Sequence, residues 1–541
     1  MSFPDWLAER ARLSPERTAL IVGDARWTFR ELDAQVTQLA QSLHAQGVQR
    51  GARVAVLMHN GAPFVFCVHA LARLGAILVP INTRLTPHEI HWQLENVRAR
   101  FLLCSDQLSV ISDQLSVISD QLSVISDQLS VISDQSLVLR PQSSVLNPQP
   151  SVLRPQSSVL RPQSSVLNPP SSVLNPPSSV LNPQSSVLSP PSSISPLSFE
   201  LDVPHSILYT SGTSGQPKGA VLTYGNHWWS AIASALNLGL REDDCWLACL
   251  PLFHVGGLAI LLRGVIYGMT VLVHESFDAA AVNRAIDREG VTMLSVVSTM
   301  LQRMFEARGD EPYPASLRGV LVGGGPAPRT LLEEAQRRGA PVVQTYGLTE
   351  AASQVATLAL QDALRKIGSA GKPLFGTELR IENDGIEMEH GQAGEIVIRG
   401  PTVMAGYVDQ PEETARVLHD GWLHTGDVGY VDADGYLYVL DRRDDLFISG
   451  GENVYPAEIE AALRTHPAVL DAGVIGAPDA RWGRVPVAFV QIEKEAPVTA
   501  DDLMQHCTAR LARYKIPTRI HFVAALPRNA AGKLLRRALR P

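Results

Sequence analysis

Hydrophobic and polar positions follow two different periods along this chain. Residues 28–47 carry Leu32, Val36 and Leu39 at the spacing of one helix face, which predicts an amphipathic helix. Residues 53–58 form a short apolar run typical of a strand buried on both faces. Alternation of such segments predicts an α/β fold with mostly parallel sheets. Further helices are predicted at 3–12, 63–74 and 226–238, and further strands at 76–80, 245–250, 271–273 and 319–322.

In the last third of the chain the pattern changes to short strands separated by glycine and aspartate turns, at 379–382, 395–399 and 436–440. These strands predict a small barrel-like part of the first domain, and a smaller α+β domain is expected to follow it. A chain of 541 residues is too long for one hydrophobic core. We therefore predict a large domain over residues 1–443 and a small domain over residues 444–541.

The segment 105–198 departs from both patterns because it is built of near-identical short units. Its first part repeats Ser-Asp-Gln-Leu-Ser-Val-Ile four times and places leucine and isoleucine at heptad spacing. Two serines and an aspartate in every unit oppose a helix there, and the prolines of the later units exclude a continuous helix or a central strand. We predict a peripheral low-complexity insertion that is partly disordered. A segment that binds a partner protein is the alternative.

Composition and charge narrow the function classes. The net charge of −8 argues against a general nucleic-acid-binding protein. The five cysteines are odd in number and contain no Cys-x-x-Cys pair, as is usual in a reducing compartment. The most apolar stretch, 257–273, is interrupted by Arg263, and the first residues lack the charge pattern of a signal peptide. We expect a cytoplasmic protein that is not embedded in a membrane, and a homo-oligomer is compatible with the sequence.

Residues 209–219 carry the clearest chemical signal, Tyr-Thr-Ser-Gly-Thr-Ser-Gly-Gln-Pro-Lys-Gly. Glycine lets the backbone approach a ligand closely, hydroxyl groups donate to phosphate oxygens, and lysine adds positive charge. The run follows a strand-like segment, 206–209, and lacks the Gly-Lys-Ser/Thr ending of a Walker A loop. It predicts a phosphate-binding loop of a different kind. A glycine- and serine-rich surface turn is the alternative.

This loop resembles the phosphate loop of the adenylate-forming superfamily, which includes acyl-CoA synthetases, luciferases and peptide-synthetase adenylation domains. Further segments similar to that family's motifs follow in the family's order. The resemblance covers the chain apart from 105–198, and it implies a large N-terminal domain and a small mobile C-terminal domain hinged near Asp444. The segments lie at 250–257, 323–328, 344–350, 394–401, 421–427, 441–460 and 527–533.

The resemblance implies that ATP and Mg²⁺ activate a carboxylic acid as an acyl-adenylate, with pyrophosphate as the leaving group. Two anions must meet in this step, so the site has to neutralise phosphate charge and hold the reactants in line. By family position, Thr349 donates to the α-phosphate, Glu350 binds Mg²⁺, and Lys533 bridges the α-phosphate and the attacking carboxylate. A surface lysine is the alternative for Lys533. The residues assigned to ATP are Thr210, Ser211, Gly212, Thr213, Ser214, Gly215 and Lys218 on the phosphates, Gly323, Gly324, Gly325, Gln344, Thr345 and Tyr346 around adenine, and Asp427 and Arg442 at the ribose.

For the second half-reaction, the resemblance implies that the thiol of coenzyme A displaces AMP after the small domain has rotated. Ser449, Gly450 and Gly451 are expected to line the thiol tunnel, because small residues let a narrow chain pass the backbone. Trp482 is expected to contact the nucleotide end of coenzyme A, with a structural tryptophan as the alternative. His254 is expected to gate or order the pocket, with a packed core histidine as the alternative.

Four other segments resemble the 2-succinylbenzoate–CoA ligases of menaquinone synthesis, and the double tryptophan within 225–240 is the most distinctive feature. That acid keeps a second, aromatic carboxylate charged in a largely apolar pocket, so the pocket needs a hydrogen-bond donor. Arg263 matches an arginine of that family and is the expected donor, and Ser295 is a second candidate. An arginine that reaches the surface along its apolar stem is the alternative. The other segments are 263–269, 295–303 and 321–328.

Two other functions stay open on the sequence alone. A ligase for another aromatic or aliphatic acid, such as a benzoate, a cinnamate or a fatty acid, shares most of these motifs. A protein that only binds ligands, with its large domain disrupted by the repeat, is the second, although every predicted catalytic position is intact. Pyrophosphate release from a panel of acids tests the first function, and ATP-induced thermal stabilisation tests the second.

Overall fold

The structure, a computed structural model, describes residues 2–105, 123–125, 198–211, 217–324, 327, 329–363, 365–441, 447–493, 497–527, 534 and 536–540. All of these residues belong to one compact unit. No helix in these ranges has the length and the apolar character that crossing a bilayer requires.

Several helices begin where the sequence supplies an N-cap. Thr28 and Thr86 each accept a hydrogen bond from the amide three residues on, and the glutamate at that position bonds back to the capping backbone. The α-helices of the described residues are α1 (Trp6–Leu13), α2 (Phe29–Ala45), α3 (Ala62–Leu74), α4 (Pro87–Asn96), α5 (Tyr224–Leu238), α6 (Val255–Tyr267), α7 (Ala279–Arg288), α8 (Ser298–Arg308), α9 (Arg329–Arg337), α10 (Pro411–Val417), α11 (Pro456–Arg464) and α12 (Ala500–Thr508).

Many of the strands are short and apolar, as expected for sheets covered on both faces. In chain order they are β1 (Ser2–Phe3), β2 (Thr18–Val22), β3 (Ala25–Thr28), β4 (Arg53–Leu57), β5 (Ile77–Pro80), β6 (Phe101–Cys104), β7 (Ser123–Ile125), β8 (Phe199–Glu200), β9 (Pro204–Ser211), β10 (Pro217–Thr223), β11 (Cys245–Ala248), β12 (Thr270–Val273), β13 (Met293–Val297), β14 (Gly319–Gly323), β15 (Val342–Tyr346), β16 (Ala356–Thr357), β17 (Lys372–Pro373), β18 (Glu378–Asn383), β19 (Ile386–Glu387), β20 (Gly394–Arg399), β21 (Gly406–Tyr407), β22 (Leu418–His419), β23 (Trp422–Val431), β24 (Leu437–Asp441), β25 (Phe447–Ser449), β26 (Glu452–Val454), β27 (Val469–Asp479), β28 (Gly483–Ile492) and β29 (Arg519–Phe522).

The largest sheet has nine strands in the order β17-β16-β15-β14-β13-β11-β12-β2-β3. Its six central strands, from β15 to β2, run parallel, and antiparallel strands close both ends. Because the central strands are parallel, the carboxyl ends of β13, β14 and β15 lie at one edge. Such an edge is where an open α/β sheet is expected to bind a ligand.

A second sheet has seven strands in the order β21-β10-β9-β5-β4-β6-β7. Strands β9 and β10 pair antiparallel and hold the described ends of the predicted phosphate loop, 209–211 and 217–219. At the other edge, β7 comes from the repeat, and Ser123–Ile125 pairs in parallel with Phe101–Leu103 of β6. One unit of the repeat therefore supplies an edge strand, which the sequence analysis did not predict.

Two smaller sheets follow along the chain. Strands β18–β20 and β22–β24 form an antiparallel sheet, and β25–β29 form a five-stranded sheet packed with α11 and α12 around Val474 and Leu503. Mixed, mostly parallel large sheets followed by this smaller α+β part confirm the predicted fold class. The hinge predicted at Asp444 lies outside the described residues, so the division into domains at 443/444 stays a prediction.

The predicted helix at 3–12 is wrong at its start. Phe3 belongs to β1, which pairs with β8, and the helix begins only at Trp6. Asp5 fixes that start because its Oδ1 accepts hydrogen bonds from the amides of Leu7 and Ala8. The other predicted helices and strands have boundaries within two residues of the observed ones.

Candidate active site

The carboxyl ends of β13, β14 and β15 form one wall of a cavity of about 210 Å³. Helix α6 forms a second wall, and Ile448 and Gly451 reach the cavity from the five-stranded sheet. Predicted site residues that are far apart in sequence meet around this space. They are Thr210, His254, Arg263, Ser295, Gly323, Gly324, Thr345, Thr349, Glu350 and Gly451.

Glu350 lies in a short 3-10 turn, Thr349–Ala351, that follows β15. Its Oε1 accepts hydrogen bonds from the Tyr407 hydroxyl at 2.9 Å and from Thr210 Oγ1 at 3.3 Å. Mg²⁺ at phosphate-transfer sites uses one or two carboxylates together with phosphate oxygens, so one oriented carboxylate fits the predicted metal role. No group of three or more metal-ligating side chains occurs in the part of the chain that the structure describes.

Lys218 is buried and forms an ion pair with Glu413 of α10. Its ammonium group lies 5.3 Å from the centre of the Tyr407 ring. The lysine is therefore engaged with protein groups in this structure. Its contact with ATP phosphates stays a prediction, and it requires the ammonium group to leave Glu413 or to be shared with it.

Two residues predicted near adenine, Gln344 and Tyr346, form hydrogen bonds with protein groups. Gln344 is buried; its Nε2 donates to the Ser369 carbonyl at 3.0 Å and its Oε1 accepts from the Ala327 amide at 3.3 Å. Its amide thus supports neighbouring backbone. Tyr346 donates its hydroxyl to Asp427 Oδ2 at 2.7 Å, which brings two predicted nucleotide-binding residues together. Their contacts with adenine and ribose stay predictions.

Arg263 projects from α6 to the cavity and is only 3% exposed, so the alternative of a surface arginine is wrong. Its Nε and Nη2 have no hydrogen-bond partner among the described residues. Burial lowers the pKa of its guanidinium. A buried cation with unsatisfied donors is costly unless an anion binds to it, so the arrangement suits a ligand carboxylate.

Trp246 on β11 is the main residue near this arginine that the sequence analysis missed. The Arg263 Cζ lies 5.5 Å from the centre of the indole ring. The indole Nε1 donates to Ser295 Oγ at 3.3 Å, and Ser295 lines the cavity beside Arg263. No motif marks Trp246, because its contacts arise from the pairing of β11 with β13 and the packing of α6.

His254 precedes α6 and contacts a carboxylate of the five-stranded sheet. Its Nε2 lies 3.0 Å from Oε2 of Glu452. The same Oε2 accepts a hydrogen bond from Asn82 Nδ2 at 3.3 Å, and the Glu452 Oε1 accepts one from Arg84 Nη1 at 2.6 Å. Burial opposes ionisation of Glu452, but His254 and Arg84 outweigh it and lower its pKa. His254 is therefore a polar contact residue and not a packed core histidine.

A second ionic contact, which the sequence analysis missed, lies near α4. The buried Lys515 donates to Glu89 Oε1 at 2.8 Å and to Glu458 Oε1 at 2.7 Å. Burial opposes the charge on Lys515, but Tyr514 and the two carboxylates raise its pKa. Its partners lie far away in sequence, so only the family motif around Glu458 could have drawn attention to this contact.

A second cavity of about 350 Å³ shares Pro251 and Gly451 with the first. Arg84 and Gly450 also line it. Gly450 has a φ of +57°, and a Cβ there would lie 2.5 Å from a ring carbon of Trp482, so a larger residue would clash. Gly451 thus borders both cavities and Gly450 borders the second, whereas their contact with coenzyme A stays a prediction.

Several predicted residues lie outside the described part of the chain, and their roles stay predictions. The same holds for the side chain of Ser211. The residues are Gly212, Thr213, Ser214, Gly215, Gly325, Arg442, Asp444 and Lys533.

Comparison with known proteins agrees with these motifs. The AMP-binding enzyme model matches residues 7–408, and the model of the AMP-binding enzyme C-terminal domain matches residues 458–533. The 2-succinylbenzoate–CoA ligase of Geobacillus sp. (strain WCH70) is 46% identical over 100% of this chain and 97% of that ligase.

Solved structures of one relative differ in their likeness to this chain. A double mutant of o-succinylbenzoate CoA synthetase from Bacillus subtilis, bound with a product analogue, has a TM-score of 0.84 at 40% identity. The same synthetase in complex with its acyl-adenylate intermediate has a TM-score of 0.69 at 40% identity. In both cases the match covers 100% of this chain and 99% of the other. The chain belongs to the AMP-binding enzyme family and, within it, to the 2-succinylbenzoate–CoA ligases.

Proposed function

We propose that this enzyme activates 2-succinylbenzoate with ATP and transfers it to coenzyme A, in the cytoplasm and for menaquinone synthesis. In the first step a carboxylate oxygen attacks the α-phosphorus, the bond to pyrophosphate breaks, and an acyl-adenylate forms. In the second step the thiol loses its proton, its sulfur attacks the acyl carbon, and AMP leaves. The enzyme is an AMP-forming acid–thiol ligase that uses ATP, Mg²⁺ and coenzyme A.

The observation that supports 2-succinylbenzoate as the acid is the buried Arg263, whose Nε and Nη2 have no hydrogen-bond partner among the described residues. Only the succinyl carboxylate of 2-succinylbenzoate reacts, so the aromatic carboxylate remains charged inside the cavity. Arg263 lines that cavity, and Ser295 adds a hydroxyl. A fatty acid or a simple benzoate offers no second anion to this arginine, which disfavours the other ligase functions.

The phosphate side of the cavity supports the first half-reaction. Glu350 would hold Mg²⁺, which neutralises phosphate charge when bound. Thr210 and Thr349 lie on the same wall, and their hydroxyl groups are the predicted donors to phosphate oxygens. Lys533 remains the predicted bridge between the α-phosphate and the attacking carboxylate.

The second cavity supports the transfer half-reaction. Pro251 and Gly451 line both cavities. A narrow thiol-bearing arm would pass beside the backbone at these residues. Trp482 is 45% exposed and packs on Gly450, a position from which it can stack on the nucleotide end of coenzyme A. The greater likeness to the structure with a product analogue fits an arrangement suited to transfer.

Replacing Arg263 with alanine tests the proposed acid. We expect the KM for 2-succinylbenzoate to rise by roughly 10²-fold or more, because an uncompensated buried carboxylate is strongly destabilised. The KM for ATP should not change. The KM for 4-phenyl-4-oxobutanoate, which lacks the aromatic carboxylate, should rise far less. Steady-state thioester formation with the two acids measures both effects.

Arg263→Lys serves as the matched control for this experiment. It keeps the positive charge but loses the forked donor geometry. Its KM for 2-succinylbenzoate should therefore lie between the values of wild type and Arg263→Ala. Equal losses for both acids would mean that Arg263 only supports the fold and that another group, such as Ser295, holds the carboxylate.

A further inference from the structure

The surroundings of Arg263 contain neutral groups that do not use its N–H donors. The Trp246 ring lies 5.5 Å from its Cζ, and Tyr267 donates its hydroxyl to the Ala231 carbonyl instead. Burial and the nearby Arg263 cation lower the pKa of His227 to about 3, so its imidazole is neutral. The guanidinium is therefore held without an anion from the described residues.

Trp246 is the neighbour best placed to stabilise this cation in the empty enzyme. It is 2% exposed and presents its π-face to the guanidinium. A cation–π contact in a desolvated site is attractive but uses the face of the cation and none of its hydrogen-bond donors. An acidic neighbour would instead neutralise the arginine and compete with the substrate for Nε and Nη2.

The indole also orients the second donor in the cavity. Its Nε1–H donates to Ser295 Oγ at 3.3 Å, so the serine oxygen accepts from the protein. The serine O–H has no acceptor among the described residues and is left to donate into the cavity that Ser295 lines. One side chain thus places two donors, the guanidinium and the hydroxyl, towards the same space.

We propose that Trp246 is a positioning residue that determines acid specificity, because it holds Arg263 and Ser295 ready for the aromatic carboxylate of the substrate. This inference rests on the proposed role of Arg263. Trp246 itself does not touch the reacting atoms. Its contribution is to binding of the second carboxylate, so it should act on the KM for the acid and leave the chemical step and ATP binding alone.

Two substitutions separate the two contacts of the indole. Trp246→Phe keeps an aromatic face and removes the N–H, whereas Trp246→Leu removes both. We expect Trp246→Leu to raise the KM for 2-succinylbenzoate roughly tenfold or more, with kcat and the KM for ATP nearly unchanged. Trp246→Phe should recover part of that loss. The KM for 4-phenyl-4-oxobutanoate should change much less in both variants.

The same substitutions in the Arg263→Ala background test whether Trp246 acts on the KM for the acid through Arg263. If Trp246 acts mainly through Arg263, Trp246→Leu should add little further loss there. Trp27→Leu is the matched control, since Trp27 is also a buried strand tryptophan, packed against Phe66 at 5.7 Å and away from the cavity lining. Its thermal unfolding measures the cost of losing an indole alone.

Equal losses for the two acids in Trp246→Leu would overturn this inference. An undiminished loss in the Arg263→Ala background would overturn the part of it that runs through Arg263. A selective loss in Arg263→Ala without one in Trp246→Leu or Trp246→Phe would reject the role of Trp246 and leave the proposed function in place. Unselective loss in Arg263→Ala itself would reject the carboxylate role of the arginine, so the two failures are distinguishable.

Discussion

Side chains in this site are oriented by hydrogen bonds and ring contacts from residues that lie far away in sequence. The Glu350 carboxylate accepts from the hydroxyls of Tyr407 and Thr210, and the Tyr407 ring also lies beside the Lys218 ammonium. Tyr407 therefore links the predicted metal ligand to the predicted phosphate-loop lysine. Hydrogen bonds of this kind orient a ligand and raise its affinity for the metal.

Tyr407→Phe should weaken the response of the enzyme to Mg²⁺ while leaving the fold intact. Removing one of two donors to Glu350 loosens the carboxylate, so the Mg²⁺ concentration for half-maximal adenylate formation should rise roughly tenfold. The measurement is a Mg²⁺ titration of pyrophosphate release, together with direct Mg²⁺–ATP binding by calorimetry. Tyr438→Phe is the control, since the Tyr438 ring stacks on Tyr430 at 4.9 Å, and it should show no shift. An unchanged Mg²⁺ requirement in Tyr407→Phe would refute the link.

Motifs drew attention to Thr349, Glu350 and Arg263, which all line the first cavity, because each lies in a segment that resembles a family motif. Trp246 and Tyr407 could not be identified in that way. Trp246 lies in an ordinary apolar strand, and Tyr407 contacts Glu350 across a sequence separation of 57 residues. The contact of Lys218 with Glu413 spans 195 residues and depends on how α10 packs against β21, the strand that pairs with β10.

At the scale of elements, two ionic contacts connect the five-stranded sheet and its helices to the rest of the chain. Glu452 of β26 reaches His254 and Arg84, and Lys515 reaches Glu89 of α4. Glu89 also caps its own helix through Oε2. The same side chain therefore fixes the helix start and accepts the hydrogen bond from Lys515. Both contacts stabilise the arrangement in which Gly451 borders the two cavities.

Glu89→Gln should slow transfer to coenzyme A and spare adenylate formation. Glutamine keeps the capping bond but loses the charge-assisted bond from Lys515. The population of molecules in which Gly451 borders the two cavities should therefore fall roughly tenfold. Single-turnover measurements from acid plus ATP, and from preformed acyl-adenylate plus coenzyme A, separate the two steps. Glu95→Gln, on the same helix and more exposed, is the control; matching losses in both steps would argue against the contact's role.

Element boundaries followed from apolar runs and cap residues, which act over a few neighbours along the chain. The start of α1 was missed because Phe3 pairs with Phe199, a contact across the whole repeat. Strand β7 was missed because Ser-Val-Ile occurs in every early repeat unit, and only pairing with Phe101–Leu103 selects one copy. Sequence patterns do not carry such long-range choices.

At the scale of the whole molecule, the repeat is the part whose removal is most informative. Deleting residues 134–195, with a short polar linker, should leave thioester formation nearly unchanged, because all described elements lie outside that range and long insertions cost little loop entropy. Deleting 107–196 also removes β7, so it should lower the Tm by about a few degrees more. Activity assays and thermal unfolding check both deletions. Inactive products from several linker lengths of the shorter deletion would contradict the expectation.

The relation between the large sheets and the five-stranded sheet is the property that sequence reasoning could predict least. Motif order implied a mobile small domain, but neither Glu452 nor Lys515 was recognised as a contact, since each depends on one particular arrangement of the molecule.

The most direct test of the central claim is the specificity constant for thioester formation with purified enzyme, ATP, Mg²⁺ and coenzyme A. We predict that 2-succinylbenzoate yields its thioester and AMP in equal amounts, with a kcat/KM on the order of 10²-fold or more above those for 4-phenyl-4-oxobutanoate and benzoate. No thioester from 2-succinylbenzoate, or an equal or higher kcat/KM for either acid that lacks the second carboxylate, would contradict the account.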